Sequence, residues 1–159
     1  MFEKVAYQGD LMQQYATLQQ QVEALIADEP NLIANLSNTS ALLNQFLHTI
    51  NWVGFYLKEQ DELVLGPFQG LPACVRIPLG RGVCGESAAT NTTIVVDDVH
   101  QFAGHIACDA ASRSEIVIPL RKNNEVIGVL DIDSPVTARF SDLDRAGLEN
   151  IVKTIQKYL

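Results

Sequence analysis

The chain has 159 residues, of which 47% are hydrophobic, and a formal net charge of −8. That length and apolar content fit one domain spanning residues 1–159, with a core that needs neither disulfides nor a structural metal. The acidic balance argues against nucleic acid, whose binding rests on clustered Lys and Arg that displace counterions.

The N-terminal stretch MFEKVAYQGDLMQQ carries no basic segment followed by an apolar run and a small-residue cleavage site. Nothing later approaches membrane-spanning length, so a cytoplasmic protein without a membrane partner is expected. Leu11, Tyr15, Leu18, Val22, Leu25 and Ile26 recur at helical spacing and predict an amphipathic helix over Gln8–Ala27, ended by Asp28-Glu29-Pro30. A second helical stretch is expected from Leu32 to Ile50, with a break where Ser37-Asn38-Thr39-Ser40 gathers capping residues.

The pattern then changes to strands. NWVGFYLK, ELVLGPFQ, VRIPL, TIVVDDV, EIVIPLR and EVIGVLDID are six short runs rich in β-branched and aromatic residues. Glu59-Gln60-Asp61 and Asn123-Asn124 supply tight-turn chemistry between pairs of them, which favours antiparallel neighbours. Between the third and fifth runs, the segment Gly80–Gln101 and the loop holding Cys108 interrupt the meander and are expected to overhang one face of the sheet. Gly80-Arg81-Gly82-Val83-Cys84-Gly85 matches GxGxxG, but it lies mid-chain and lacks the opening βαβ context of a dinucleotide fold. It reads as a glycine-permitted turn entering a short helix over Gly85–Thr90. A last helix begins at Ser141, three residues before Asp144, and presents Leu148, Ile151, Val152, Ile155 and Tyr158 as one stripe. The sum is an α+β fold of the α/β class: a six-stranded, mainly antiparallel sheet flanked by N- and C-terminal helices.

Three cysteines, Cys74, Cys84 and Cys108, form no CxxC pair and are odd in number. A structural disulfide framework is therefore not expected in a reducing compartment, and no metal or bound cofactor is expected from this spacing. Redox chemistry and inert burial remain open for each thiol. Cys108 sits between polar residues in a loop, and Cys84 near a helix start whose N–H groups favour a thiolate.

Asp131-Ile132-Asp133 ends an apolar strand. Strict alternation points Ile127, Val129, Asp131 and Asp133 to one face and Val126, Gly128, Leu130 and Ile132 to the other. Two carboxylates side by side repel unless one is protonated or a cation arrives, the alternative being a solvated strand end. A strict hairpin at Asn123-Asn124 puts Glu115 opposite Ile132, on the wrong face; only an odd register shift, such as a bulge near Pro119, brings it beside the aspartates. Trp52 and Tyr56 share parity on their strand, so they wall a small pocket or pack an ordinary core.

NWVGFYL, GPFQGLPACVRIPLGRGVCGESA, the Cys108 loop with DAASRSEIVIPL, and VIGVLDIDSP followed by FSDLD together resemble the free methionine-(R)-sulfoxide reductase family, a stand-alone GAF domain. The resemblance spans nearly the whole chain. It implies a GAF-like sheet, reduction of free methionine-(R)-sulfoxide, thioredoxin (or dithiothreitol in vitro) as reductant, no bound cofactor, and a homodimer. It also implies Cys108 as nucleophile and Cys74 as recycling cysteine, with Cys84 joining thiol exchange. Glu115, Asp131 and Asp133 become the acids that hold the substrate ammonium or protonate the sulfoxide, and Trp52 and Tyr56 the wall around its methyl thioether. Two other readings are carried beside it. One is a regulatory GAF module that binds a small ligand, although such a module is expected to have an output segment and none follows the last predicted helix. The other is a thiol-based redox sensor.

Overall fold

The computed structural model describes all residues, Met1–Leu159. Helices α1 (Leu11–Ile26) and α2 (Leu32–Phe46) precede strands β1 (Trp52–Glu59), β2 (Glu62–Gly70) and β3 (Arg76–Pro78). Helix α3 (Gly82–Thr90), strand β4 (Ile94–Val96), a 3-10 turn (Val99–Gln101), the hairpin β5 (Ser114–Lys122)–β6 (Glu125–Ser134) and helix α4 (Asp142–Gln156) complete the chain. The strands form one sheet in the order β3-β2-β1-β6-β5-β4, and every neighbouring pair is antiparallel. The six-strand expectation holds, with a fully antiparallel sheet.

Two apolar clusters lie on the two faces of this sheet. On one face Leu18, Leu36, Phe55, Ile118, Leu130 and Ile151 belong to a core shared by α1, α2 and α4. The terminal helices pack on each other as well as on the sheet: Tyr15 of α1 donates a 2.8 Å hydrogen bond to the buried Asp144 of α4. Asp144 is also the N3 partner in a capping box with Ser141, as the sequence spacing implied. On the other face Trp52, Tyr56, Val83, Cys84, Val117 and Val129 form a smaller cluster under α3 and the long excursion from β3 to β5.

Several boundaries differ from the sequence reading, each for a local reason. Helix α1 starts at Leu11 rather than Gln8, because Asp10 caps it by accepting from the Gln13 backbone N–H while the Gln13 side chain accepts from Asp10 N. Helix α2 runs unbroken through Ser37-Asn38-Thr39-Ser40 and stops at Phe46, short of Ile50. The Ser37, Thr39 and Ser40 hydroxyls donate to the carbonyls of Ile33, Asn35 and Leu36 one turn back, so they satisfy themselves inside the helix instead of ending it. The run TIVVDDV is a strand only at Ile94–Val96, since Asp98 caps the following 3-10 turn through His100 N. Helix α3 starts at Gly82, three residues earlier than expected. The three glycines of the GxGxxG match serve that turn: Gly80 and Gly82 hold φ of +82° and +59°, and a Cβ on Gly85 would lie 2.4 Å from the Pro78 carbonyl oxygen.

The β5–β6 register decides where the site forms. Lys122 pairs with Glu125 and Arg121 with Val126, but Leu120 pairs with Gly128, so Ile127 is an extra residue on β6. This bulge, close to Pro119, supplies the odd shift that the strict hairpin lacks, and Glu115 pairs with Asp133. It also corrects the alternation near the turn: Ile127 packs against the helix-side core and Val126 against the opposite cluster, the reverse of strict parity.

Candidate functional site

The site is built from three adjacent strands whose ends meet under the long excursion. Across them, Trp52 of β1, Asp133 of β6 and Glu115 of β5 are direct neighbours in one row, and Gly54, Asp131 and Val117 form the next. Side chains two apart on a strand share a face. The register therefore gathers Glu115, Asp131, Asp133, Trp52 and Tyr56 around one cleft, which Cys84, Cys108 and His105 also line. Every site residue expected from the sequence except Cys74 lines this cleft, and Cys74 is disulfide-bonded to one that does.

Glu115 and Asp131 are each only 5% exposed, which is costly for carboxylates without partners. Few partners are present. Glu115 Oε1 lies 3.9 Å from Cys84 Sγ, Glu115 Oε2 lies 3.8 Å from His105 Nε2, and Asp131 Oδ1 has no hydrogen-bond partner at all. Burial, then the charges of Asp131 and Asp133, hold the Glu115 carboxyl well above the usual range. Burial, then Asp131 and Asp109, do the same to Asp133, and burial raises Asp131. Three mutually repelling acids in a water-poor cleft retain protons or recruit a cation.

Cys84 departs from the sequence expectation. It is the third residue of α3, at the helix N-terminus, yet it is buried, and burial followed by the charges of Asp131 and Glu115 pushes its thiol well up. The fixed dipole of a helix end, worth about 0.3–1 kcal/mol at the surface, is outweighed by desolvation among acids. Cys84 is a neutral thiol, not a preformed thiolate.

Cys74 and Cys108 are joined in a disulfide with Cα atoms 5.7 Å apart. Cys108 is exposed on its loop and Cys74 is half-buried between β2 and β3. The aromatic pair supports this arrangement with its polar ends: Trp52 Nε1 donates to the Leu71 carbonyl (3.1 Å) and the Tyr56 hydroxyl to the Cys74 carbonyl (2.9 Å). Their rings stack with centroids 5.9 Å apart. Wall and loop anchor are thus the same two residues.

Sequence reasoning missed the groups that hold the opposite loop. Asn51 Nδ2 donates to Asp109 Oδ2 and to Ser112 Oγ, both at 3.0 Å, tying the loop just after Cys108 to the start of β1. His105, from the same loop, reaches Glu115, and burial, then the charge of His100, lowers its pKa and favours the neutral imidazole. The only signal for Asn51 was its place before Trp52 in NWVGFYL, and for Asp109 its place after Cys108. Neither spacing has a period to read.

A family model described as "GAF domain" matches residues 31–158. The chain is 59% identical over 145 residues to the free methionine-R-sulfoxide reductase of Escherichia coli (strain K12), covering 91% of this chain and 88% of the relative. Among solved structures, it resembles the free methionine-R-sulfoxide reductase of Neisseria meningitidis in complex with its substrate, with a TM-score of 0.94 and 45% identity over 99% of this chain and 95% of that one. It also resembles fRMsr of Staphylococcus aureus in its reduced form, with a TM-score of 0.89 and 62% identity over 91% of this chain and 94% of that one. With likeness of this degree along almost its full length, and with the GAF sheet beneath it, the chain belongs to the free methionine-R-sulfoxide reductase family.

Proposed function

We propose that this protein, acting as a single GAF domain in the cytoplasm and as a homodimer, reduces free L-methionine-(R)-sulfoxide to L-methionine with Cys108 as the nucleophile. The observation that carries the reading is the Cys74–Cys108 disulfide at a cleft walled by Trp52 and Tyr56 and floored by Glu115, Asp131 and Asp133. Free methionine sulfoxide presents an ammonium group, a polar S=O and a short apolar stem. The ammonium relieves the repulsion among the acids, and the aromatic wall receives the methyl thioether end. A peptide-bound residue has no ammonium to offer there, so the same electrostatics exclude it.

The chemistry balances with two electrons and two protons. Cys108, as thiolate, attacks the sulfoxide sulfur to form an S–S bond while Glu115 or Asp133, whose carboxyl groups burial holds well above the usual range, gives a proton to the oxygen, which leaves as water once a second proton arrives. Water then attacks the Cys108 sulfur, the S–S bond breaks, methionine leaves, and Cys108 is a sulfenic acid. The Cys74 thiol then attacks that sulfur, water departs, and the disulfide forms. An external dithiol, thioredoxin in the cell or dithiothreitol in vitro, reduces it by exchange, with Cys84 able to take part in thiol exchange. An ordinary cysteine with pKa near 8.5 is mostly protonated at neutral pH, so the substrate's positive charge also favours the Cys108 thiolate.

The test is a single turnover of pre-reduced Cys108→Ser with free methionine-(R)-sulfoxide. No methionine is expected; release at the wild-type rate would remove Cys108 from the nucleophile's role. The S-epimer and a sulfoxide-containing peptide, assayed alongside, should yield none with the wild-type protein.

A further inference from the structure

In the mechanism proposed above the neutral thiol Cys84 takes no part in the sulfoxide attack, yet it stands against two of the buried acids of the cleft. One ligand atom each from Cys84, Glu115 and Asp131 lies within 4.8 Å of the other two, and all three residues are buried. A fourth donor, His105 Nε2, lies 3.8 Å from Glu115 Oε2 and comes from the loop above, with its side chain 14% exposed. The independent sign of a missing ligand is Asp131: it lines the cleft, it is only 5% exposed, and its Oδ1 has no hydrogen-bond partner. An unpaired buried carboxylate oxygen is rare and costly in a folded protein.

We propose that Cys84, Glu115, Asp131 and His105 form a binding site for a borderline-soft divalent cation of the zinc type. Two comparisons favour that class. The donor set mixes one sulfur, one imidazole nitrogen and two carboxylate oxygens, which suits zinc or cobalt and not magnesium or calcium, which take oxygen donors. The spacing allows it after a modest contraction. In a tetrahedral zinc site with bonds of about 2.0–2.3 Å, ligand atoms stand roughly 3.3–3.7 Å apart. Cys84, Glu115 and Asp131 offer atoms within 4.8 Å of one another, and His105 Nε2 stands 3.8 Å from the second Glu115 oxygen, so the three must draw in by up to about 1 Å and the His105 loop must follow.

The disulfide matters to this site because it tethers the loop that carries His105, three residues before Cys108, to the β2–β3 connection. In the oxidised protein Cys84, Glu115 and Asp131 are therefore together with His105 held beside Glu115, and the Cys84 thiol is free. On binding, the Cys84 thiol and any protonated carboxyl of Glu115 or Asp131 release their protons to water, and sulfur and oxygens become ligands without any change in oxidation state. A cation held here takes the place of the substrate ammonium, so metal and substrate exclude one another; that consequence alone rests on the function proposed above.

The experiment is a titration of the oxidised full-length protein with cobalt(II) in the absence of thiol reductants. The wild type is expected to develop a sulfur-to-cobalt charge-transfer band in the near ultraviolet together with the visible bands of a tetrahedral ion, all bleached by zinc(II). Cys84→Ser should lose the charge-transfer band, and His105→Ala should weaken cobalt affinity by about tenfold or more, equal to ~1.4 kcal/mol. Asp131→Asn should weaken it similarly, and circular dichroism checks that each variant is folded. Absence of the band in the wild type, its persistence in Cys84→Ser, or loss of cobalt affinity in His100→Ala but not in His105→Ala would overturn the site. The readout is the metal's own absorbance, so it separates failure of the metal site from failure of the reductase reading.

Discussion

Tyr56→Phe keeps the aromatic ring in the cleft and removes one interaction, the 2.9 Å hydrogen bond from the phenol to the Cys74 carbonyl. A hydrogen bond of this kind contributes about 1 kcal/mol net, and a buried carbonyl left without a donor loses more. Cys74 is half-buried, so water partly replaces the lost donor and the lower figure applies. The second anchor of the same connection, Trp52 Nε1 to the Leu71 carbonyl, remains and limits how far the loop departs. A loss of ~1 kcal/mol is roughly fivefold in rate if it falls on the step that brings Cys74 to the Cys108 sulfenic acid. The assay mixes pre-reduced protein with one equivalent of free methionine-(R)-sulfoxide, quenches by alkylation, and follows methionine and free thiol separately. Methionine release should be unchanged while disulfide formation slows by that factor. Equal slowing of both steps would place Tyr56 in the sulfoxide attack itself, and an unchanged disulfide step would refute the anchoring argument.

Glu115→Gln should raise the thermal midpoint near neutral pH while abolishing or impairing turnover. The folded protein holds Glu115 and Asp133 protonated at pH values where the unfolded chain has lost those protons. Their contribution is therefore whole below the unfolded pKa of about 4 and is lost as pH rises towards the folded value. The stabilisation by Gln should accordingly vanish near pH 4, and a midpoint that gains equally at both pH values would show that the effect is not electrostatic. Reducing the disulfide opens a loop of sequence separation 34. Chain entropy puts the loss at up to about 4 kcal/mol; calorimetry of oxidised and reduced protein should show a fall of up to roughly 8–15 °C for a chain of this size. Gly147→Ala sets a helix-propensity gain of about 1 kcal/mol against overpacking of about 1–3 kcal/mol or more. The new Cβ would fall 2.3–2.6 Å from three atoms of the Tyr15 ring, so the clash wins and denaturant titration should show a loss on the order of 2 kcal/mol.

The elements of the fold and the identities of the site residues could be read from the chain because each leaves a local trace. Apolar stripes at helical spacing mark α1 and α4, β-branched runs mark the six strands, and the cysteines with Asp131-Ile132-Asp133 stand out by type. Local traces failed where two local preferences compete: the α2 hydroxyls that seemed to end a helix instead bond one turn back, and Cys84 at a helix start is governed by what buries it. Strict alternation likewise misplaced Val126 and Ile127, because a bulge is set by pairing between strands and not by either strand alone.

What the sequence determined by itself is therefore the inventory: an acidic α+β chain with three thiols, three candidate acids and an aromatic pair. Only the tertiary structure decided which of them meet. A one-residue slip turns a strand over, and the single extra residue Ile127 moves Glu115 from beside Ile132 to beside Asp133. Burial then shifted their charge: the excursion that covers that face removes water from Glu115 and Asp131, so the same acids hold their protons to higher pH here than in a peptide.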